Sequence, residues 1–153
     1  MSRMLYLSQR DPKWATKIIG KTWLTVGRWG CTITSVSMLS SYYGCYKSPI
    51  EIASIPWLFN RRGEIIWQML EKVFNGKIKF QIRRYGMNKP AIIASLNGTP
   101  KTSVLCEVAN KSHWVVIVGQ HGNDFYCADP IDGQKKLVFK TYRNITGSAH
   151  LTV

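Results

Sequence analysis

The chain has 153 residues, of which 45% are hydrophobic and 19% charged, so it can bury a core without disulfide or metal staples and is not intrinsically disordered. Its 21 Lys and Arg against 8 Asp and Glu give a net charge of +13, which attracts anionic polymers and surfaces. No apolar run approaches the about 18 residues of a membrane-spanning helix, and the apolar start ends at Leu7, too early for a signal peptide. We therefore expect one domain over residues 1–153, without a membrane span, made in the cytoplasm of its host.

Helices are predicted mainly in the first two thirds of the chain, after an irregular lead-in over residues 1–30. Apolar side chains recur at helical spacing over residues 31–43. The sequence "SPIE" is a capping-box pattern that opens a short helix over residues 48–55. Two further helices are predicted over residues 64–74 and 90–98.

The remaining predicted elements are strands. Residues 77–83 alternate apolar and polar side chains, as in a half-buried strand. Apolar, β-branched runs separated by turn-rich segments predict further strands over residues 103–109, 113–119, 124–129 and 136–140. His121 and His150 are interpreted as a turn residue and a tail residue. This order predicts an α+β fold, with N-terminal helices packed on an antiparallel sheet.

The segment "RWGCTITSVSM" at residues 28–38 places Cys31 at the start of the first predicted helix. The free N–H groups and the dipole of a helix N-terminus stabilise a thiolate and lower the pKa of the thiol. The small side chains that follow, beginning with Thr32, leave the approach to the sulfur uncrowded. A structural role in the core is the alternative interpretation of Cys31 taken alone.

Two later residues can complete a nucleophilic site. His113 opens a predicted strand after a turn, where its imidazole can face a cleft and act as general base and acid. Asp129 ends the next strand, so pairing of the two strands as a hairpin would bring its carboxylate beside the imidazole to orient it. Taken singly, His113 can instead be held by turn amides, and Asp129 can cap the turn at Pro130.

These motifs resemble those of the C39-type papain-like cysteine peptidases, and more closely the stand-alone C39-like domains of bacteria and their phages. Four sequences match in the family order within residues 7–133: "QRDPKW" from Gln9, "GCTITSVSML" from Gly30, "HWVVIVG" from His113 and "DPIDG" from Asp129. The resemblance implies a papain-like cysteine peptidase fold. It also implies that Cys31 is the nucleophile, His113 the general base and acid, and Asp129 the orienting carboxylate.

Gln9 corresponds to the side-chain donor of the family's oxyanion hole, with the backbone N–H of Cys31 as the second donor. We expect Trp114, Trp29 and Thr32 to line the substrate groove, because they lie beside the proposed site in the sequence. The chain departs from the family directly after the nucleophile, where Thr32 and Ile33 replace the usual Gly and frequent Pro. This bulkier pair can narrow the cleft, so the resemblance alone does not assign the family's substrates to this chain.

The cysteines allow one other interpretation. Cys31, His113, Cys127 and Asp129 are all possible zinc ligands, but the motifs match a thiol peptidase better than any zinc spacing. We therefore expect neither a metal nor a cofactor. The four cysteines form no CxxC pair, so reduced thiols are expected, with Cys45 and Cys106 as small core residues.

The predicted function is a cysteine peptidase or amidase that hydrolyses peptide bonds through an acyl-enzyme. A small, basic domain of this kind suits a phage or bacterial endolysin that cuts peptidoglycan at an anionic cell wall, after release or as a virion component. One alternative is a C39-type protease that processes leader peptides or other proteins. Another is a non-catalytic basic module that binds cell wall or nucleic acid, although the dispersed positive charge makes nucleic acid the less expected partner. We expect a monomer.

Overall fold

The computed structural model describes residues 3–99 and 102–153; residues 1 and 2 of the predicted lead-in lie outside this part. The helices are α1 (Val26–Trp29), α2 (Cys31–Tyr42), α3 (Pro49–Ala53), α4 (Leu70–Val73), α5 (Lys89–Asn97) and α6 (Val138–Tyr142). The strands are β1 (Lys79–Tyr85), β2 (Ser103–Val108), β3 (His113–His121), β4 (Asp124–Asp129), β5 (Gln134–Leu137) and β6 (Gly147–Thr152).

The strands form one antiparallel sheet in the order β1-β6-β2-β3-β4-β5. Strands β3 and β4 pair as a hairpin, with Val116 opposite Ala128 and His121 opposite Asp124. An antiparallel hairpin brings the start of its first strand beside the end of its second, so His113 and Asp129 lie at the same edge of the sheet. The α+β class with an antiparallel sheet is confirmed.

The sheet buries apolar side chains on both faces, because successive residues of a strand point to opposite sides. One face carries Leu105, Val116, Ala128, Ala149 and Leu151, which pack with the α2 side chains Ile33, Val36, Met38 and Leu39. The other face carries Val104, Cys106, Val115, Ile117 and Cys127, which pack with Ile92 of α5 and Val138 of α6. Helix α2 is therefore held between the sheet and the N-terminal part of the chain, with its first turn free to face a cleft.

Gly30 separates α1 from α2 and fixes where Cys31 lies. A Cβ atom at residue 30 would lie 2.4 Å from the carbonyl oxygen of Val26, a distance no side chain tolerates. The helical ladder stops at Gly30 and restarts at Cys31. The backbone N–H of Cys31 is consequently one of the unsatisfied donors at the start of α2.

The elements differ from the sequence prediction in several places, among them the short α1 inside the lead-in that was predicted to be irregular. The predicted helix over 64–74 is reduced to a 3-10 turn at Trp67–Met69 followed by the short α4. The predicted strand over 136–140 divides into the end of β5 and the start of α6. His150 is not a tail residue, since it is buried in β6 between β1 and β2.

Over the described ranges, none of the helices combines the length and apolar character needed to cross a membrane.

Candidate active site

A cavity of about 290 Å³ opens at the first turn of α2. Its lining comes from four parts of the chain: the lead-in, the α1–α2 junction, the β2–β3 turn and the segments after β4. The lining residues are Gln9, Arg28, Trp29, Cys31, Ala109, Ser112, His113, Ile131 and Tyr142. Three of the four residues predicted to be catalytic thus share one cavity, and the fourth, Asp129, lies directly behind His113.

Cys31 and His113 both line this cavity, near enough for the imidazole to affect the ionisation of the thiol. Burial alone would raise the pKa of the thiol, because a low-dielectric site disfavours charge. The hydrogen bond and positive charge of His113 outweigh burial, with smaller contributions from the backbone N–H of Trp114 and the hydroxyl of Thr32, so the pKa of Cys31 is lowered. The Thr32 hydroxyl oxygen lies 3.9 Å from the sulfur.

The other end of the imidazole is held by Asp129. The Nε2 atom of His113 lies 2.7 Å from Oδ1 of Asp129, which leaves Nδ1 as the ring nitrogen available to the sulfur of Cys31. Only 11% of the His113 side chain is exposed and none of the Asp129 side chain. The two side chains are therefore shielded from water. An ion pair in such a buried site is stronger than one at the protein surface.

Three further groups hold the Asp129 carboxylate. Oδ1 accepts a hydrogen bond of 3.0 Å from the backbone N–H of Ile131, and Oδ2 accepts one of 2.9 Å from Nζ of Lys136. The hydroxyl of Tyr142 also donates to Oδ2. Although burial opposes ionisation, the hydrogen bonds from His113, Tyr142, Ile131 and Lys136 hold the pKa of Asp129 far below its usual value. The carboxylate is thus a fixed negative charge behind the imidazole.

This charge stabilises the protonated imidazole. Burial lowers the pKa of His113, but hydrogen bonding to Asp129 and to Cys31, together with both negative charges, raises it to about 9. The lowered pKa of Cys31 and the raised pKa of His113 both shift the pair toward a thiolate beside an imidazolium. Such an ion pair would be a nucleophile already deprotonated next to a proton donor.

We expect Asp129→Asn to lower the pKa of His113 from about 9 toward its ordinary value near 6.5. The substitution keeps a hydrogen-bond acceptor beside Nε2 but removes the negative charge that stabilises the imidazolium. If His113 is the general acid, the alkaline limb of the activity profile moves to lower pH by about one unit or more. The pKa can be followed by NMR titration of the His113 ring protons.

Asp132→Asn is the matched control, because Asp132 also pairs with Lys136, at 3.0 Å, but does not contact the imidazole. This variant should leave the titration of His113 unchanged. An equal shift in the two variants, or no shift in Asp129→Asn, would contradict a direct effect of Asp129 on the imidazole.

Gln9 lies in the same cavity although it is 22 residues before Cys31 in the sequence. Its backbone N–H donates to the carbonyl of Pro130 at 2.7 Å, which ties the lead-in to the segment after Asp129. Its side chain is only 2% exposed, and Nε2 donates to the carbonyl of Gly27 at 3.2 Å. The opposite orientation of the amide would set Oε1 against that carbonyl oxygen, so Gly27 fixes Nε2 as the donor through one of its two N–H groups. Oε1 is buried without a hydrogen-bond partner among the described residues.

The three residues predicted to line the substrate groove lie in different surroundings. Trp29 lines the cavity and is 51% exposed, and Thr32 lies beside the Cys31 sulfur. Trp114 is outside the cavity lining: its ring packs 5.3 Å from that of Trp67 and 4.9 Å from the guanidinium of Arg83. A substrate-binding role for these three residues stays a prediction.

The other three cysteines differ from Cys31 in their surroundings. All four are free thiols. Burial raises the pKa of Cys45 and of Cys106, and it raises that of Cys127 to about 12. Within residues 3–99 and 102–153, no three His, Cys, Asp or Glu side chains form a group that could hold a metal ion.

Sequence reasoning did not identify Arg28, Lys136 or Tyr142 at this site. Lys136 lies four residues after Asp132 across a tight turn, so the β4–β5 hairpin was the signal that could have placed its ammonium near Asp129. Tyr142 gave no such signal, because it lies just after the predicted strand over 136–140. In the structure it ends α6, and its hydroxyl donates to Asp129. Arg28 stands three residues before Cys31, next to the predicted groove residue Trp29.

Comparison with known proteins agrees with this architecture. The sequence profile of the Peptidase_C39 like family matches residues 5–150. No curated protein matches the chain significantly. The chain is similar in structure to a double glycine motif protease from an AMS/PCAT transporter, crystallised in complex with the leader peptide, with a TM-score of 0.56 and 19% identity over 91% of this chain and 93% of that one. At that identity the likeness concerns the fold, and it confirms the papain-like α+β prediction.

Proposed function

Because the chain belongs to the Peptidase_C39 like family, we propose that it is a cysteine peptidase that hydrolyses peptide bonds through a thioester at Cys31. The observation that carries this proposal is the cavity that Cys31 shares with His113, whose Nε2 lies 2.7 Å from the buried carboxylate of Asp129. A nucleophile, a proton carrier and an orienting anion in one line are the parts that acyl transfer needs.

In the first half of the reaction, the thiolate of Cys31 attacks the carbonyl carbon of the scissile bond, and the carbonyl π electrons move onto oxygen. The second N–H of Gln9 Nε2 and the backbone N–H of Cys31 donate to this oxyanion. The imidazolium of His113 then gives its proton to the amide nitrogen. The C–N bond breaks, the amine leaves, and a thioester remains on Cys31.

In the second half, neutral His113 takes a proton from a water molecule whose oxygen attacks the thioester carbonyl. The C–S bond breaks and the thiolate of Cys31 leaves, while the proton on His113 restores the ion pair. Asp129 stays ionised throughout and stabilises the imidazolium each time it forms. The overall change is one amide bond and one water converted to a carboxylate and a protonated amine.

The best-supported substrate is the peptide part of peptidoglycan. The net charge of +13 favours binding to an anionic cell wall, and Trp23 and Trp29 expose 83% and 51% of their surface, as suits contact with a polymer. In this proposal the enzyme is an endolysin-type or virion-associated hydrolase that acts on the wall from outside or after release.

A second candidate substrate is the leader of a precursor protein. The similar crystal structure holds a leader peptide, and a cavity of about 290 Å³ has room for only a few small side chains beside the sulfur. Digestion of purified cell wall and of precursor peptides whose leader segment ends in a double glycine separates the two candidates, because each releases fragments that mass spectrometry identifies.

The test of the proposed function couples thiol labelling to hydrolysis. We expect iodoacetamide at about pH 6 to carboxamidomethylate Cys31 first, because its pKa is lowered whereas those of Cys45, Cys106 and Cys127 are raised. One modified thiol per chain should abolish cleavage of a complex peptide library and of purified peptidoglycan. Peptide mapping identifies the labelled residue, and mass spectrometry counts new amine termini.

Two results would contradict the proposal. One is full hydrolysis after stoichiometric labelling of Cys31. The other is labelling that begins at Cys45, the most accessible alternative thiol, with Cys31 reacting no faster than a free cysteine.

A further inference from the structure

The catalytic cavity holds one charge that the proposed mechanism does not use. Among its lining residues, only Arg28, His113 and Cys31 can carry a charge near neutral pH, and none of the lining residues is Asp or Glu. The imidazolium and the thiolate compensate each other, and Asp129 lies behind the imidazole with its own partners. The guanidinium of Arg28 is therefore the uncompensated charge that a bound substrate meets.

Arg28 is an exposed residue among those that line the cavity, and its guanidinium makes no ion pair within 4 Å among the described residues. Its central carbon lies 5.5 Å from the ring centre of Trp29, within the range of a cation–π interaction. The backbone beneath it is fixed, because the N–H of Gly27 donates to the carbonyl of Ala15 at 2.9 Å. An arginine positioned in this way keeps its planar fork of donors free for another acceptor.

The position of Arg28 relates this fork to the scissile bond. Arg28 and Cys31 belong to one rigid stretch of chain, the end of α1 and the start of α2, and both face the same cavity. A peptide whose carbonyl carbon lies at the sulfur of Cys31, and which extends through the cavity toward α1, places a neighbouring residue beside Arg28. The ligand that matches a guanidinium fork in charge and in geometry is a carboxylate.

We infer that Arg28, supported by Trp29, forms a subsite for a substrate carboxylate next to the scissile bond. The carboxylate is either the side chain of an acidic residue or the free end of a peptide chain. This inference rests on the proposed peptidase function and adds the chemical class of substrate that the site selects.

The test measures cleavage of matched peptides. A peptide library digested by the parent enzyme gives one cleaved sequence, and that peptide is then made with Glu or Gln at each position around the cut, and with a free or an amidated C-terminus. At one position around the cut, we expect kcat/KM to be about 5- to 10-fold higher for the peptide that carries the carboxylate than for its uncharged partner. This factor lies between the effect of an exposed ion pair and that of a buried charged hydrogen bond. In Arg28→Gln this ratio should fall to about one.

Arg61→Gln is the matched control. Arg61 is exposed and lies outside the cavity, and its substitution lowers the net charge by the same amount as Arg28→Gln does. Arg61→Gln should keep the preference of the parent, whereas Arg28→Lys should keep only part of it, because an ammonium lacks the fork. The preference should also weaken in 1 M salt, where charges are screened beyond roughly 3 Å. The Glu/Gln and acid/amide pairs identify which source of carboxylate is bound.

The outcomes separate the inference from the function on which it rests. Cleavage that depends on Cys31 but shows no carboxylate preference, or a preference that survives in Arg28→Gln, overturns the subsite and leaves the peptidase function intact. A parent enzyme that cleaves no peptide and no peptidoglycan overturns both.

Discussion

Replacing Cys31 with alanine is expected to abolish peptide hydrolysis, lowering kcat/KM by about 10⁴-fold or more. The substitution removes the sulfur that would form the thioester, and no other cysteine is among the residues lining the cavity. Helix α2 should persist, because alanine is the best helix former and Cys31 is not part of the buried core.

Cys45→Ala is the matched control for the loss of a thiol. Cys45 is also partly exposed but lies outside the cavity, and burial raises its pKa. We expect this variant to keep the activity of the parent. Each variant needs a thermal unfolding curve, so that lost activity is not mistaken for lost structure. Equal hydrolysis by Cys31→Ala and the parent would rule out the thioester mechanism, and a parent that binds cell wall without hydrolysing it would favour a non-catalytic binding module.

The central part of the fold could be predicted from the sequence because its signals are local. The apolar repeat after Gly30 predicts a helix over 31–43, and α2 occupies Cys31–Tyr42. The capping box that Ser48 and Glu51 predict is present, with both hydrogen bonds formed. Alternating and β-branched runs locate β1 to β4 within one or two residues at most ends. These elements follow rules that act over a few neighbouring residues.

The secondary structure of the C-terminal part of the chain was harder to predict, because long-range contacts determine it. The run "KLVFK" has the composition of a strand, yet residues 138–142 form α6, whose Val138 packs against the second face of the sheet. Residues 147–152 carry small and polar side chains, which predict no strand, but β6 fills the gap between β1 and β2. There the ring of His150 is hydrogen-bonded through Nδ1 to the hydroxyl of Ser95 at 2.7 Å and through Nε2 to that of Ser148 at 2.8 Å. Ser95 lies 55 residues before His150 in the chain, so this contact gives no local pattern.

The same distinction applies to the candidate site. The pairing of His113 with Asp129 follows from a hairpin, so sequence reasoning reached it without a relative. Gln9 could be proposed only through resemblance, because its position depends on the contact of the lead-in with Pro130. Trp114 was expected at the groove because it is next to His113. Its ring packs against that of Trp67, outside the cavity lining, and its role in substrate binding stays a prediction.

Gln9→Ala is expected to lower kcat by about 10²- to 10³-fold, with little change in KM. The side-chain N–H that Gly27 leaves free would donate to the oxyanion, which exists only along the reaction path, so its loss costs little in substrate binding. Single-turnover measurement of acylation isolates this step from product release. A rise in KM with unchanged kcat would instead make Gln9 an ordinary substrate contact.

A structural effect of the Gln9 substitution can be separated from an effect on the oxyanion. Ser8→Ala is the control in the same segment, since the Ser8 hydroxyl donates to the carbonyl of Ile131 at 3.2 Å and lies outside the cavity lining. Alkylation of Cys31 by iodoacetamide forms no oxyanion, so Gln9→Ala should react with it as fast as the parent does. Slow alkylation together with slow acylation would mean that the substitution disturbs the ion pair of Cys31 and His113, and Gln9 would then be a positioning residue. Normal alkylation with slow acylation can arise only if Gln9 acts on charge that develops in the substrate.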